Sequence, residues 1–386
     1  MRRLFLLVSA VVLVDTAFFA AIAPLLPHYA ADLDLSKSAA GVLTASYAAG
    51  TLVGSLPAGW LAARFGVKPT LLLGLSLLAV TSVAFGFARD VVLLDSARFV
   101  QGVGGACSWA AGMAWLVSAS PPERRGELIG SGLAAAIVGV LLGPVLGGAA
   151  TVAGPEVVFG GVAAVAAGLA AFAWTMPGVP PAEETSVLAA VAALRQAPVA
   201  AGFWMFLLPA LFAGVLEVLA PLRLDELGAS GVGVGAIFLV AAAIEAVISP
   251  FSGRLSDRRG RMAPMRGGLA GAALLGGLLP LPGHVLALAA VLVAVVAALG
   301  VFWAPAMAML SDASEAAGLD QGLAFALANL AWAGGHVIGG AAGARLADAT
   351  SDAVPYSLMA ASCALTLLVA LRRRAQLGHG AVPLRR

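Results

Sequence analysis

The 386-residue chain has little charge and little cysteine. Charged residues make up 11% of it, against 61% hydrophobic residues, and there are two cysteines. So little charge excludes an ordinary water-soluble domain, in which about 25% of residues are charged. Cys107 and Cys363 lie in separate apolar runs, so neither a disulfide framework nor a metal site is predicted. A formal net charge of +2 is too small to favour nucleic-acid binding.

Enzyme motifs are missing as well. The sequence contains no Walker A loop, no GxSxG serine and no HExxH pair, and no stretch outside the apolar runs is long enough for a catalytic domain. We therefore expect no enzyme activity, no cofactor and no metal. A membrane receptor or a membrane enzyme is kept only as a remote alternative.

Long apolar runs dominate the sequence instead. A run of about 20 residues crosses roughly 30 Å of hydrocarbon as a helix, so we predict an all-α membrane protein with twelve transmembrane helices, spans 1 to 12. The first run follows Arg2 and Arg3 and has no convincing cleavage site, so we read it as an uncleaved span. The runs lie at about 4–27, 39–62, 69–88, 91–118, 127–152, 157–176, 199–222, 232–252, 264–282, 285–310, 320–346 and 354–371.

A polar, proline-rich segment separates two sets of six runs. We predict an N-terminal six-helix bundle at 1–176, a cytoplasmic linker at 177–198, and a C-terminal six-helix bundle at 199–386 that ends in a short basic tail. A short amphipathic helix on the membrane surface, at Val187 to Arg195, is compatible with the linker.

The basic residues predict the orientation, because lysine and arginine are enriched in cytoplasmic loops. With both termini in the cytoplasm, every basic residue falls on a cytoplasmic segment except Arg98, which lies within span 4, and Lys37, Arg89, Arg223 and Arg345, which lie outside. We predict a monomeric, multi-pass protein of the cell membrane, with both termini cytoplasmic and the lipid bilayer around it.

The two halves are predicted to be parallel repeats. Aligning the second half on the first places Gly253 and Gly260 on Gly59 and Gly66, and other glycines align in the same way. A shift of six spans preserves the orientation of each helix. Such repeats are typical of a transporter with two bundles and a substrate site between them near the midplane.

Spans 4 and 5 carry the most specific motifs. Span 4 contains ARFVQGVGG with Arg98 and Gln101, and span 5 contains GVLLGPVLGG with Gly139, Gly143, Pro144, Gly147 and Gly148. The first resembles the RxxQGxG signature of the major facilitator superfamily, and the second matches the GxxxGPxxGG motif of its proton antiporters. The chain thus resembles the drug:proton antiporters of that superfamily, including bacterial multidrug exporters and vesicular amine transporters. The glycine face also permits close helix approach, and its proline permits a kink, so we expect a hinge or a tight seam.

Two loops resemble the superfamily's GxxxDRxGRK motif. The loop after span 2, which includes Gly59 and Gly66, has Ala63 and Val67 in place of the acid and one arginine. The loop after span 8 is intact, with Gly253, Asp257, Arg258, Gly260 and Arg261. The acid there can bind the positive N-terminal end of a neighbouring helix and so bias one conformation. The alternative is a charged turn that only fixes the topology.

Few ionisable residues lie within the spans, where desolvation makes them costly unless they have a function. Arg98 must face inward, and its neighbour one turn before, Asp95, could neutralise it. The remaining candidates are Asp15 in span 1, Glu217 in span 7, Glu245 in span 8 and His336 in span 11. We predict Asp15, Glu245 and His336 as proton-coupling residues, and Asp15, Arg98, Gln101 and Glu217 as substrate-binding residues.

The prolines after Asp15 and Glu217 are spaced as in the vesicular amine transporters. In that family, acids at these positions serve the cationic substrate and the exchanged protons, and the resemblance implies the same roles here. A packing or helix-capping acid is the alternative. His336 stands where the first repeat has Pro144, and either proton carriage or packing suits it. Several tryptophans could line a cavity for a cation or face lipid: Trp109, Trp115, Trp204, Trp303 and Trp332.

Together these features predict a secondary transporter whose partners are protons and a small-molecule substrate. We expect it to export a lipophilic or cationic molecule in exchange for protons by alternating access, with the export direction implied by the span 5 motif. A uniporter or symporter of a neutral solute, such as a sugar, on the same fold is the main alternative.

Overall fold

The computed structural model describes residues 2–118, 125–178, 192–319 and 321–379. Within these ranges the chain is helical and contains no strand. Most of the predicted linker and of its surface helix, the turn after span 4 with Arg124, and the end of the basic tail lie outside the described residues.

The first six spans are formed by seven helices, because span 1 is broken at Ala21. Spans 2 and 5 have 29 residues each and are longer than the apolar runs that predicted them, whereas span 4 has 28 residues and matches its predicted run. Their bounds, in chain order, are Arg2–Ala20 with Ile22–Asp32 for span 1, then Lys37–Phe65, Val67–Phe87, Val91–Ser118, Arg125–Ala153 and Pro155–Trp174.

The second six spans include two interrupted helices. Span 10 is broken at Val301 and Phe302, and span 11 contains one π-helical turn. Their bounds are Ala197–Glu226, Gly231–Arg259, Met262–Gly276, Val285–Gly300 with Trp303–Ala316, Gln321–Val337 with Ile338–Ala342 and Gly343–Ala349, and Ala353–His379. The twelve predicted transmembrane helices are therefore confirmed.

Length and apolar composition alone would identify fewer spans. Within the described residues, nine helical stretches are long and apolar enough to cross a membrane, and spans 4, 9 and 11 do not meet that measure. Span 9 has a regular helix of only 15 residues. Span 4 carries Asp95, Arg98 and Gln101, and the last two are fully buried inside the protein. Polar residues in a span are thus tolerated where they face protein.

Local capping supports the repeat relation. Ser36 begins span 2 by accepting a hydrogen bond from the Ala39 amide, and Ser230, its counterpart in the second repeat, begins span 8 by accepting one from the Gly233 amide, both at 3.2 Å. The same two spans end at Gly66 and Gly260, which have φ of 96° and 85°. Side chains with a Cβ rarely adopt such angles, so glycine is required at both ends.

The spans pack as two bundles. In the first bundle, span 4 packs on spans 2 and 3, span 1 packs on span 5, and span 3 packs on span 6. In the second bundle, span 7 packs on spans 10 and 11, span 8 packs on span 10, and span 9 packs on span 12. Between the bundles, span 5 packs on span 8 and span 2 on span 11. These two pairs are exchanged by a shift of six spans, so the interface has the symmetry of the repeats.

The bundles meet on the side of the membrane opposite the chain ends. A Cβ added to Gly41 of span 2 would lie 2.6 Å from the Gly340 carbonyl oxygen of span 11. Gly59 lies further along the same face, because a whole number of helical turns separates the two positions. Among the described residues, a Cβ on Gly59 would nevertheless meet nothing within 4 Å. In this part of the chain, the interface is therefore closed opposite the chain ends and open at Gly59, on the side of the chain ends.

Span 8 repeats this arrangement. A Cβ added to Gly235 would lie 2.8 Å from the Pro144 carbonyl oxygen of span 5, in the other bundle. Gly253, the counterpart of Gly59, has as its nearest neighbour Ala304 of its own bundle, at 3.5 Å. Both spans therefore contact the opposite bundle at one end of a glycine-bearing face and not at the other.

Candidate functional site

Arg98 is fully buried and binds the break in span 1. Its Nη1 donates to the Phe18 carbonyl and its Nη2 to the Phe19 carbonyl, each at 3.2 Å. Nη1 also lies 3.3 Å from Gln101 Oε1. The first helix of span 1 ends at Ala20, and the carbonyl end of a helix attracts cations. Arg98 thus faces inward, as predicted, and its charge is held by backbone carbonyls.

Asp95 does not neutralise Arg98. Its Oδ1 is buried without a hydrogen-bond partner, and the described residues form no ion pair between the two side chains. The Arg98 guanidinium lies instead among aromatic rings, 5.2 Å from the ring centre of Tyr47 and 5.9 Å from those of Phe18 and Phe85. Such contacts stabilise a cation that has lost its hydration.

Asp15 is buried near the middle of span 1. The Tyr47 hydroxyl donates to its Oδ2 at 2.8 Å, and the Trp109 side chain lies beside it. Within the described part of the chain, its Oδ1 has no hydrogen-bond partner. A Cβ added to Gly105 would lie 2.6 Å from the Tyr47 hydroxyl oxygen and 2.9 Å from Asp15 Oδ1. Gly105 therefore provides the space in which this pair forms, and neither Tyr47 nor Gly105 was predicted from the sequence.

Glu217 and His336 are brought together in the second bundle. His336 Nε2 lies 3.5 Å from Glu217 Oε1, and the exposed fractions of the His336 and Glu217 side chains are 5% and 23%. His336 Nδ1 lies 2.9 Å from the Trp332 carbonyl oxygen. The two residues were predicted separately, one for protons and one for substrate, and the structure makes them direct neighbours.

Glu245 of span 8 lies beside the break in span 10. A Cβ added to Gly300, the last residue before that break, would lie 2.8 Å from Glu245 Cγ. The Trp303 side chain is its neighbour, and Glu217 and His336 interact with it electrostatically. Glu245 is therefore part of the same charged region, although no hydrogen bond among the described residues joins it to the Glu217 and His336 pair.

Three of the five predicted tryptophans lie at these groups. Trp109 is beside Asp15, Trp303 is beside Glu245, and Trp332 packs on His336 with ring centres 4.5 Å apart. Trp204 instead donates its indole N–H to the Thr366 hydroxyl, and Trp115 is buried in the packing of the first bundle.

Phe19 connects the two bundles between these groups. Its ring centre lies 5.0 Å from that of Tyr47, which binds Asp15, 5.1 Å from that of Trp332, and 5.9 Å from that of His336. Its carbonyl is held by Arg98. Phe19 thus packs on the partner of Asp15 in the first bundle and on the partner of Glu217 in the second. It was not predicted from the sequence, because phenylalanine is common in apolar spans.

The glycines of the span 5 motif form a tight seam with span 1. A Cβ on Gly139 would overlap Thr16, one on Gly143 would overlap Ala20, and one on Gly147 would overlap the Ala21 carbonyl. The helix continues through Pro144. Gly148 faces the second bundle, with Val232 Cα at 3.8 Å from an added Cβ.

This seam leads to a first prediction. Gly143→Leu is expected to lower the free energy of unfolding by about 1–3 kcal/mol, because an oversized side chain must push span 5 away from span 1, and to impair transport. Thermal unfolding of the purified protein and transport in proteoliposomes measure the two effects. Gly161→Leu in span 6 is the matched control, since a Cβ there meets nothing within 4 Å. Equal melting and equal transport of the two variants would contradict the seam.

The charged loop after span 8 binds its own bundle. Arg261 donates to Asp257 Oδ1 at 2.6 Å and to Asp312 Oδ2 of span 10 at 3.0 Å. The bond to Asp312 raises the pKa of the Arg261 guanidinium above its usual value. Asp257 therefore has an arginine partner, where the resemblance implied a helix N-terminus, and Arg258 is exposed. The loop ties span 8 to span 10.

Comparison with known proteins agrees with these features. A stretch of 108 residues is 36% identical to the synaptic vesicular amine transporter of Bos taurus, and one of 122 residues is 33% identical to the multidrug resistance protein MdtL of Escherichia coli O157:H7. These stretches are 28% and 32% of this chain, and only 21% and 31% of the relatives' own lengths.

The fold itself is matched over almost the whole chain. A crystal structure of a D-xylose-proton symporter superposes with a TM-score of 0.74, covering 95% of this chain and 96% of that one at 19% sequence identity. At this identity the likeness concerns the fold alone. The family model of the major facilitator superfamily matches residues 8–319 and 203–385. With twelve helices, two repeated bundles and charged groups from both bundles at the interface, the chain belongs to the major facilitator superfamily and is a multi-pass membrane protein.

Proposed function

We propose that the protein is a proton-coupled antiporter that exports lipophilic or cationic small molecules by alternating access. The observation that carries this proposal is the placement of acids from both bundles around one aromatic contact. Asp15 comes from span 1 and Glu217 from span 7. Their respective partners, Tyr47 and His336, both pack on the ring of Phe19. Acids among aromatic rings suit a lipophilic cation, because the rings supply apolar area and a negative face while the carboxylates supply charge.

The same groups suit proton exchange. Burial disfavours the charged form of an acid, so a buried carboxylate can hold either a proton or a cation. Among the described residues, Asp15 Oδ1 has no hydrogen-bond partner, so this oxygen can accept a proton or contact a cation. The resemblance of a third of the chain to MdtL, named as a multidrug resistance protein, and to vesicular amine transporters supports this substrate class.

Alternating access is supported by the closed and open ends of the interface. On the closed side, Lys37 Nζ lies 2.7 Å from Asp352 Oδ1, and the Ser38 hydroxyl donates to Asp348 Oδ2 at 2.6 Å. With the chain ends in the cytoplasm, as the basic residues predict, the closed side faces outward and the open side inward. Export then requires these contacts to break.

These polar contacts lead to a second prediction. Lys37→Ala combined with Ser38→Ala is expected to raise the population that is open on this side by a few fold, since each exposed contact contributes about 0–1 kcal/mol. Spin labels at Ala31 and Ser351 measure the opening as a longer distance. The control is His28→Ala, which removes an ion pair to Asp32 within span 1. Unchanged distances in the double variant would show that these contacts do not hold the side closed.

The proposal is tested in proteoliposomes that carry a pH gradient. Tetraphenylphosphonium, a lipophilic cation without a dissociable proton, is expected to accumulate against the proton flow, and its addition is expected to move protons in the opposite direction. Proton movement with a neutral sugar such as xylose, and none with tetraphenylphosphonium, would overturn the proposal in favour of a sugar symporter.

A further inference from the structure

The hydrogen bonds of His336 determine where its proton can lie. Nδ1 is 2.9 Å from the Trp332 carbonyl oxygen, and a carbonyl oxygen can only accept, so Nδ1 carries a hydrogen. In the neutral ring, Nε2 is then without a hydrogen. Nε2 lies 3.5 Å from Glu217 Oε1, and an ionised carboxylate also only accepts. Two proton acceptors therefore face each other, and one proton between them satisfies both.

We propose that Glu217 and His336 together form one proton-binding site, and that a lipophilic monovalent cation bound beside Glu217 releases that one proton. The inference rests on the proposed antiport function. In the cation-free state an imidazolium and a carboxylate neutralise each other. When the cation arrives, the Nε2–H bond breaks, the electron pair stays on Nε2, the proton leaves to water, and the cation becomes the counter-ion of Glu217.

The exchange conserves the net charge of the site. Imidazolium with carboxylate sums to zero, and so does neutral imidazole with carboxylate and a monovalent cation. An unbalanced charge away from water is strongly unfavourable. The site is therefore expected to release one proton for each monovalent cation that it binds. A neutral solute offers no charge to replace the proton and would not release it.

The surroundings of the pair suit this role. Glu217 is the more exposed partner, at 23% against 5% for His336, so a cation can approach the carboxylate while the imidazole stays covered. The His336 ring packs on Trp332, with centres 4.5 Å apart, and on Phe19 of the other bundle, at 5.9 Å. These rings form an apolar wall beside the carboxylate, and through Phe19 the first bundle contacts the site.

The charged groups on neighbouring spans either act on this pair from a distance or already have partners of their own. Glu245 of span 8 and Arg98 of span 4 act on it electrostatically. Asp15 of span 1 already accepts the Tyr47 hydroxyl of span 2. Span 10 carries Asp312 and span 2 carries Lys37; Asp312 pairs with Arg261, and Lys37 with Asp352 and Glu226.

Direct partners distinguish the two candidate acids, since Arg98 interacts electrostatically with both. Asp15 accepts the Tyr47 hydroxyl, which is neutral. Among the described residues, the only ion-pair partner of Glu217 is His336, which is charged only when it binds a proton. The charge on Glu217 is therefore coupled to a neighbouring proton more directly than the charge on Asp15.

The test counts protons. Purified full-length protein in weakly buffered detergent solution, at about pH 6 to 8, receives tetraphenylphosphonium while a pH indicator records the protons released. The wild type is expected to release about one proton per bound cation. His336→Gln is expected to bind the cation and release almost none, whereas Glu217→Gln should weaken binding by about tenfold. His28→Gln is the matched control, because His28 is exposed and outside the site, and it should release as many protons as the wild type.

A nitrogen-15 spectrum of the imidazole groups gives a second readout that needs no variant. On addition of tetraphenylphosphonium, the His336 ring should change from the doubly protonated form to the neutral form that carries its hydrogen on Nδ1. A neutral ring with its hydrogen on Nε2, or a His336 signal insensitive to the cation, would overturn the inference.

The two proposals fail differently. If the wild type exchanges tetraphenylphosphonium for protons and His336→Gln releases the same number of protons, antiport stands and the Glu217 and His336 site is wrong. If the wild type neither binds nor exchanges the cation, the proposed function is wrong and this inference with it.

Discussion

Replacing Arg98 with alanine is expected to abolish transport and to destabilise the protein. The substitution leaves the Phe18 and Phe19 carbonyls at the break of span 1 without their donor, and each hydrogen bond to a charged group contributes about 1.5–3 kcal/mol. It also removes the positive charge beside Asp15. Thermal unfolding of the solubilised protein and transport of tetraphenylphosphonium measure the two effects.

Two further arginine variants separate charge from geometry. Arg98→Lys keeps the charge but cannot reach two carbonyls with a fixed fork, so intermediate stability is expected with transport still impaired. Arg89→Ala is the control, because Arg89 is exposed and its one hydrogen bond among the described residues is to the neighbouring Ala88 carbonyl. If Arg98→Ala melts and transports like Arg89→Ala, the guanidinium does not hold the break of span 1.

Asp15→Asn is expected to abolish transport driven by a pH gradient while leaving the fold intact. Asparagine keeps the size of the side chain, and its carbonyl oxygen can still accept the Tyr47 hydroxyl. What is lost is the negative charge that attracts a cation to the first bundle. The measurements are uptake into proteoliposomes and the affinity for tetraphenylphosphonium, with thermal unfolding as a check on folding.

Tyr47→Phe is the matched comparison for Asp15. It removes the hydroxyl that binds Oδ2 but keeps the ring that packs on Phe19 and Arg98, so a smaller loss of transport is expected. If the Asp15→Asn variant still binds the cation, binding should release the proton that Glu217 and His336 share. Full proton-coupled transport by Asp15→Asn would show that the acid of span 1 is not required.

The fold could be predicted because the signal is repeated twelve times. Each apolar run of membrane-crossing length indicated a helix, and the aligned glycines indicated the repeat. The predicted bounds were less accurate where polar residues extend a helix beyond the apolar run. Span 1 was predicted to end near residue 27, and it continues to Asp32 with His28 and Asp32 paired on its last turns.

The partners at the site could not be read from the sequence. Arg98 had to face inward because of its desolvation cost, but the break of span 1 decides that it meets backbone carbonyls and not Asp95. Glu217 and His336 are distant in the sequence, and only the packing of span 7 on span 11 joins them. Phe19 and Gly105 are ordinary residues for a span, so their importance comes from position alone.

The paired glycines on spans 2 and 8, one at each end of a single helix face, have an energetic consequence. Because each face carries a glycine at both ends, opening one end and closing the other exchanges similar apolar contacts, and the net gain from apolar burial is small. Which end is closed then depends on a few polar contacts at the loops, each contributing about 0–1 kcal/mol. A difference of about 1.4 kcal/mol changes the ratio of the two states tenfold. The empty protein should therefore populate both states, and a ligand with only a modest preference for one of them can drive the cycle.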